Sequence, residues 1–173
     1  MPMPVLDVRL LTALTLGALL AGPGAARASH MTTAITVAAA GKEARGVSHQ
    51  QERTRRAKTQ REVAGKLPVL VVKPGEHIQL RWYIKNLRPT KLEKIIVHTF
   101  VKTEAEADQP EAMDPTRGAV WESAFVQDFT PGESLSGQLD FQIAKPGDYI
   151  AQIETRNSPV PHEHFSRVRI HVE

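Results

Sequence analysis

Apolar and polar residues alternate with a period of two along most of the chain from residue 67 onward. In residues 77–85, for example, Ile78, Leu80, Trp82 and Ile84 share one face and polar residues the other. Such alternation between Pro-Gly turn signals, with many β-branched and aromatic residues, is typical of β-strands. The pattern predicts seven strands, at residues 67–72, 77–85, 92–102, 119–129, 134–143, 149–155 and 163–172.

Seven short strands joined by turns favour two antiparallel sheets packed as a sandwich. No alternation of strands with helical segments occurs, which argues against a parallel α/β fold. The segment 92–102 is apolar on both faces and is expected to lie in the middle of its sheet. We therefore expect residues 67–173 to form an all-β domain that folds on its own.

Two features of this domain resemble immunoglobulin-like and fibronectin type III-like sandwiches. Pro146-Gly147-Asp148-Tyr149 precedes the sixth strand and is similar to the tyrosine corner, in which a Tyr hydroxyl bonds back to the backbone. Trp82, in the second strand, is similar to the core tryptophan of the fibronectin type III sandwich. The resemblance implies a seven-stranded antiparallel immunoglobulin-like β-sandwich with structural roles for Tyr149 and Trp82. It implies no particular activity, because one fold serves many functions.

The first 28 residues have the form of a secretory signal peptide. The apolar run Leu10–Ala21 is followed by Gly22-Pro23-Gly24 and then by the small-x-small site Ala26-Arg27-Ala28. A membrane anchor is the rival interpretation, but a spanning helix needs about 20 apolar residues. The sequence predicts cleavage after Ala28, a secreted or periplasmic mature protein, and no transmembrane helix in that mature form.

Residues 29–66 differ in composition from the rest. They contain eight Lys and Arg against three Asp and Glu, whereas residues 67–173 contain twelve against fifteen. Strongly apolar residues are few here, so the segment is expected to bury too little surface to offset its ordering entropy. We predict a disordered basic arm between the signal peptide and the sandwich.

The arm offers one candidate binding surface. Its basic residues are expected to contact an anionic lipid, cell-wall polymer or acidic partner, and the alternative is a solvated linker. Nucleic acid is not an expected partner, because the arm lacks aromatic residues for base stacking and the protein is exported. The candidate contact residues are Arg53, Arg55, Arg56, Lys58 and Arg61.

Histidines offer a candidate metal site. The chain has no cysteine, which excludes disulfides, cysteine nucleophiles and thiolate metal centres. His162 and His164 are two residues apart in a predicted strand and so face the same side. They are candidate ligands for copper or zinc, with His98 as a third ligand supplied across the sheet. The alternative is a solvated pair at the start of an edge strand. The acidic loop 103–118 is a weaker candidate, for calcium.

No catalytic motif accompanies these features. The chain lacks a Gly-x-Ser-x-Gly elbow, a His-Glu-x-x-His motif and a glycine-rich phosphate loop. We therefore predict a non-enzyme without a required cofactor. Its expected role is a non-catalytic binding or structural module of the cell envelope, with an unidentified protein or envelope partner. The alternative is an extracytoplasmic copper- or zinc-binding protein that uses His162 and His164.

Overall fold

A computed structural model describes residues 30–52, 67–107, 119–156 and 162–173, with backbone alone at residues 49–52 and 162–163. These ranges contain ten strands and one short helix. They are β1 (Met31–Ala39), β2 (Lys42–Arg45), β3 (Val47–Glu52), β4 (Val69–Val72), β5 (His77–Asn86), β6 (Leu92–Thr103), α1 (Glu104–Ala107), β7 (Ala119–Phe129), β8 (Ser134–Gln142), β9 (Gly147–Arg156) and β10 (His162–Val172).

The strands form two sheets. One has the order β2-β1-β5-β8, and the other follows β3-β10-β9-β6-β7, with β4 also paired to β10. All pairings are antiparallel except the parallel pair of β4 and β10. The prediction of an all-β chain built from antiparallel sheets is confirmed.

The predicted count of seven strands is wrong, because the described residues alone contain ten. Each of the seven segments predicted from residue 67 onward is a strand, β4 to β10, with bounds that differ by at most two residues. Three more strands precede them. The segment predicted to be central, β6, does lie between β7 and β9.

The predicted disordered arm is wrong for residues 31–52. Every second residue of β1 is buried: Met31, Thr33, Ile35, Val37 and Ala39. Composition does not reveal this strand, because Thr33 and Ala39, which are not strongly apolar residues, form part of its buried face. Alternation, rather than the number of large apolar residues, decides whether a strand can line a core.

A tight hairpin joins β1 to β2. Ala39 pairs with Lys42, so the loop contains only Ala40 and Gly41, and both have positive φ, 45° and 78°. A two-residue loop of this kind matches the right-handed twist of its strands and favours glycine. This hairpin places β1 between β2 and β5, in the interior of the four-stranded sheet.

The main core lies between the two sheets and draws residues from both. Ile35, Leu80, Val97, Ile153 and Val168 are among its members, each exposed by 2% or less. The outer face of the six-stranded sheet carries a second, smaller cluster. It consists of Leu67, Phe100, Ala107 and Ile150, with Val47 packed against them.

Several predictions fall outside the described residues. These are the signal peptide of residues 1–28, the five candidate basic residues between 53 and 61, and most of the acidic loop. Within the described part of the chain, no helix has the length and apolar character needed to cross a membrane.

Candidate functional site

The two residues with predicted structural roles both contact the sandwich interior. The Tyr149 hydroxyl donates a hydrogen bond of 2.9 Å to the carbonyl of Lys145, four residues earlier. The Trp82 indole covers Gly137 on the neighbouring strand, where a Cβ would lie 2.4 Å from the ring. Its ring centroid is 6.4 Å from that of Phe125 in the opposite sheet. Trp82 therefore bridges β5, β8 and β7.

His98 lies between two glutamates on the outer face of the six-stranded sheet. Its Nδ1 is 2.9 Å from Glu154 Oε1 and its Nε2 is 2.5 Å from Glu122 Oε1. Glu154 is fully buried and also accepts hydrogen bonds from Gln152 and Arg156. Because a carboxylate only accepts hydrogen bonds, an imidazole that donates through both nitrogens satisfies both contacts.

His164 lies on the inner face of the same sheet. Its ring centroid is 5.7 Å from that of His30, in an edge-to-face arrangement. Both line a cavity of about 10 Å³ beside Thr155, which is room for one water molecule. Arg88 Nε donates a 2.7 Å hydrogen bond to His30 Nδ1. Since a guanidinium has only donors, this His30 nitrogen is the acceptor and carries no proton.

The predicted set of three histidines is not assembled. His98 pairs across the sheet with Glu154, and Glu154 pairs with Phe165. Directly opposed residues share a face, so His98 and Phe165 lie on one face and His164 on the other. The His162 side chain lies outside the described atoms. Among the described residues, no group of three or more His, Asp or Glu side chains is arranged to hold a metal ion.

The feature that sequence reasoning missed is one border of the six-stranded sheet. Within the described residues, β7 pairs only with β6 and so is the last strand on that side. Val120, Phe125 and Val126 are exposed there by 39%, 36% and 63%, and Ile96 beside Val126 by 38%. We call this border, residues 119–127 of β7 with its outward backbone, the β7 edge.

The other borders of the two sheets differ from the β7 edge. The strand β2 has four residues, three of them charged or polar, and β4 also has four residues. The strand β3, at the opposite end of the six-stranded sheet, has six residues, of which only Val47 is apolar. The strand β8 is long, but its exposed positions are occupied by polar residues such as Ser136, Gln138 and Asp140. Short length and polar side chains are the usual means by which proteins discourage pairing at a sheet border. The β7 edge combines length with exposed apolar side chains.

Two acidic residues of β7 are held by neighbours on or beside β6. Glu122 contacts His98 and lies 3.3 Å from Lys102 Nζ. Asp128 bonds to Lys91 at 2.8 Å and accepts the Lys94 backbone N–H at 2.9 Å. The Lys91 contact, followed by the Lys94 hydrogen bond, holds the pKa of Asp128 below its ordinary value. Both charges are thus already engaged within the chain.

The sequence did contain a signal for the β7 edge. Val120-Trp121 and Phe125-Val126 each place apolar side chains on both faces of one strand. A strand apolar on both faces is normally covered on both faces. In β7, however, Val120, Phe125 and Val126 are exposed. This mismatch between the apolar pattern and the observed burial marks the β7 edge as a candidate binding surface.

Comparisons with known proteins identify no relative. No protein-family model matches the chain, and no curated protein matches it. Among solved structures, a family 123 glycoside hydrolase from Clostridium perfringens is 11% identical, with a TM-score of 0.40 over 74% of this chain and 27% of that one. A β-glucosidase from Listeria innocua is 12% identical, with a TM-score of 0.34 over 77% and 17%. The putative ApaA protein from Bordetella pertussis is 10% identical, with a TM-score of 0.33 over 82% and 95%. The chain spans less than a third of either glycosidase, and likenesses this weak assign no function.

Proposed function

We propose that this chain is a non-catalytic binding or structural module of the extracytoplasmic space, an immunoglobulin-like β-sandwich that binds through the β7 edge. The observation that carries the proposal is this long border, on which Val126 is the most exposed of the large apolar side chains. Exposed apolar residues on a sheet border mark sites where another chain adds a strand. The Tyr149–Lys145 hydrogen bond supports the immunoglobulin-like assignment.

The proposed export of the protein agrees with where the first strand begins. Cleavage after Ala28 leaves Ser29 and His30 before β1, which starts at Met31. All of β1, which the sandwich needs for its core, stays in the mature chain. His30 also stays, and its backbone carbonyl accepts a 2.8 Å hydrogen bond from Leu87 N–H. Cleavage after Ala28 would therefore remove no residue of the first strand.

Binding at the β7 edge would use two kinds of contact. The outward N–H and C=O groups of β7 would pair with an extended segment of the partner, which gives affinity without sequence preference. Val126 and Phe125, on opposite faces of the strand, would contact alternate side chains of that segment. The partner is expected to be an extended, largely apolar chain.

Site-specific photo-cross-linking in living cells tests this proposal. The photoreactive residue p-benzoylphenylalanine replaces Val126 on β7 or, as a matched control, exposed Gln138 on β8. We expect a cross-linked product from position 126 in the extracytoplasmic fraction and none above background from position 138. Equal yields at both positions, or recovery of the chain only from the cytoplasm, would contradict the proposal.

A second candidate function is copper or zinc binding at His162 and His164, and one observation, which concerns His164 and the neighbouring His30 rather than His162, favours it. Two imidazoles that share a metal at about 2.0–2.1 Å place their ring centroids about 5–6.5 Å apart, and His30 and His164 are separated by 5.7 Å. Arg88 opposes this candidate, because its guanidinium occupies His30 Nδ1 and adds positive charge. Metal binding is therefore the weaker proposal.

Elemental analysis of protein purified without a histidine tag tests the metal candidate. The candidate requires about one copper or zinc per chain, lost in His164→Ala and retained in the control His77→Ala, whose side chain is exposed. Metal-free protein whose thermal melt is insensitive to EDTA would eliminate this candidate and leave the binding module standing.

A further inference from the structure

We infer that the partner of the β7 edge is a second copy of this chain, so that two six-stranded sheets join through antiparallel β7–β7 pairing into one continuous sheet. This inference rests on the proposed function of the β7 edge and names its occupant. The inference is based on the order of side chains along β7. When two copies of this strand pair in antiparallel fashion, apolar side chains come opposite apolar ones and like charges are kept apart.

A twofold axis perpendicular to the sheet at Ser123 gives the matching register. Directly opposed residues then share a face, and each residue is as far from Ser123 as its counterpart. Trp121 faces Phe125 of the second copy on the inner face. Val126, exposed on the outer face, comes opposite the bulge that contains Val120 of the second copy. Ser123 faces its own counterpart. Cross-strand aromatic and apolar pairs are the units that stabilise a sheet.

Charge also favours this axis over its neighbours. With the axis at Ser123, Glu122 faces the small Ala124 of the second copy. An axis at Glu122 would oppose two Glu122 carboxylates, and an axis at Phe125 would place Glu122 opposite Asp128. Like charges directly opposed destabilise a strand pair. An axis at Ala124 avoids charge conflict but places exposed Val126 against Glu122.

The backbone of β7 is regular where this pairing would form. Its register with β6 is unbroken from Gln127 to Trp121, opposite Ile95 to Val101, and shifts only beyond these points. The shift between Trp121 and Ala119 is a bulge at Val120, which ends regular pairing on that side. With the axis at Ser123, the regular segment that two copies pair with each other spans the five residues 121–125, and a contact this short is expected to be reversible rather than permanent.

The cysteine-free chain permits a direct test of the axis. In the Ser123→Cys variant, the two thiols of a dimer lie on directly opposed residues, whose Cα atoms are about 4.5–5.5 Å apart. This separation is within the range that a disulfide spans, about 4.4–6.8 Å. Ser136→Cys, on the β8 border of the other sheet, is the matched control. Mild oxidation of the full chain is followed by non-reducing electrophoresis.

We expect a disulfide-linked dimer from Ser123→Cys at least tenfold more abundant than from Ser136→Cys. Adding Val126→Lys should reduce its yield severalfold, because a charge then replaces the exposed apolar side chain next to the paired segment in both copies. The wild-type chain should show a concentration-dependent rise in sedimentation coefficient, which keeps the test valid if Ser123→Cys folds poorly. Equal cross-linking of the two cysteine variants together with a concentration-independent wild-type monomer would overturn the inference.

The photo-cross-linking experiment separates this inference from the proposed function. A product from position 126 that contains two copies of the chain supports both. A product that contains a different protein, with a monomeric purified chain, overturns self-pairing and leaves the β7 edge as a binding surface. The absence of any product from position 126 contradicts the proposed function itself.

Discussion

At the residue scale, Asn86 joins three segments at one end of the sandwich. It is fully buried, and its side-chain Nδ2 donates to the carbonyls of Thr90, Phe129 and Thr130 at 3.0, 3.2 and 3.0 Å. Its Oδ1 accepts the Arg88 backbone N–H at 2.8 Å. The side chain thereby ties the end of β5 to the loop before β6 and to the turn after β7, and so holds one end of the β7 edge.

We expect Asn86→Ala to lower the free energy of unfolding by about 2 kcal/mol, because buried carbonyls lose their donor. Urea denaturation monitored by circular dichroism measures the change. The control is Gln138→Ala, which removes an exposed amide on β8 and should cost less than about 0.5 kcal/mol. Equal effects of the two substitutions would show that Asn86 does not have this role.

Glu133 stabilises the turn between β7 and β8. Its carboxylate accepts the Thr130 backbone N–H at 2.7 Å and the Thr130 hydroxyl at 2.8 Å. These two hydrogen bonds, the backbone one first, hold the pKa of Glu133 below its ordinary value of 4.5. A carboxyl whose pKa is depressed by folding stabilises the fold above its unfolded pKa and ceases to do so as the pH falls through the folded value.

Glu133→Gln should therefore destabilise the protein at neutral pH by about 0.5 kcal/mol, a value kept small by solvent screening at this exposed turn. The difference from wild type should close as the pH falls below 4.5. Thermal melts across this range measure it. Thr130→Val retains the backbone donor and should lose less than Glu133→Gln. A difference that stays constant with pH would contradict the assignment.

At the element scale, β1 is the strand on which the four-stranded sheet depends. It pairs with β2 on one side and along eight residues with β5 on the other. Every inward side chain of β1 is buried against the core. Against the expectation from the sequence, we therefore predict that residues 67–173 do not fold alone. Without β1, Leu80 and Ile84 of β5 would lose their partners on one side, Val37 and Thr33.

We expect the fragment 67–173 to show no cooperative thermal transition by circular dichroism. In the full chain, Ile35→Ala should lower the free energy of unfolding by about 3 kcal/mol. Ala34→Ser, on the exposed face of the same strand, should change it by less than about 0.5 kcal/mol. If the fragment melts cooperatively at a temperature near that of the full chain, β1 is not required for the fold.

The sequence predicts those strands whose position is determined by local alternation and turn residues, and it does not predict features that depend on long-range pairing. The strands β4 to β10 follow from alternation between strong turn signals such as Pro131-Gly132 and Pro146-Gly147. The strands β1 to β3 do not, because small residues line β1 and because the Ala40-Gly41 turn lacks the usual Asn or Asp. The opposite faces of His98 and His164 depend on long-range pairing register, which periodicity alone does not give.

At the scale of the whole molecule, the two faces of the six-stranded sheet have different characters. The inner face meets the four-stranded sheet and is mostly apolar, with polar residues such as Thr155 and His164 at one end. The outer face holds His98, Lys102, Glu122 and Glu154 in contact with one another. Burial of such ion pairs adds little net stability, but removal of one partner leaves an uncompensated charge.

We expect Glu154→Leu to destabilise the protein by about 3 kcal/mol, because His98, Arg156 and Gln152 lose a common acceptor. Glu93→Leu, at an exposed site on the same sheet, is the control and should cost less than about 1 kcal/mol. Equilibrium unfolding in urea compares them. A neutral or stabilising Glu154→Leu would mean that the cluster is replaceable by apolar packing.

Hydrogen–deuterium exchange of the purified chain at several protein concentrations tests the central claim, pairing of the β7 edge, most directly. We expect peptides from β7 to exchange more slowly as the protein concentration rises, while peptides from β8, at the border of the other sheet, exchange at the same rate at every concentration. Exchange of β7 that is fast and independent of concentration, like that of β8, would contradict this claim.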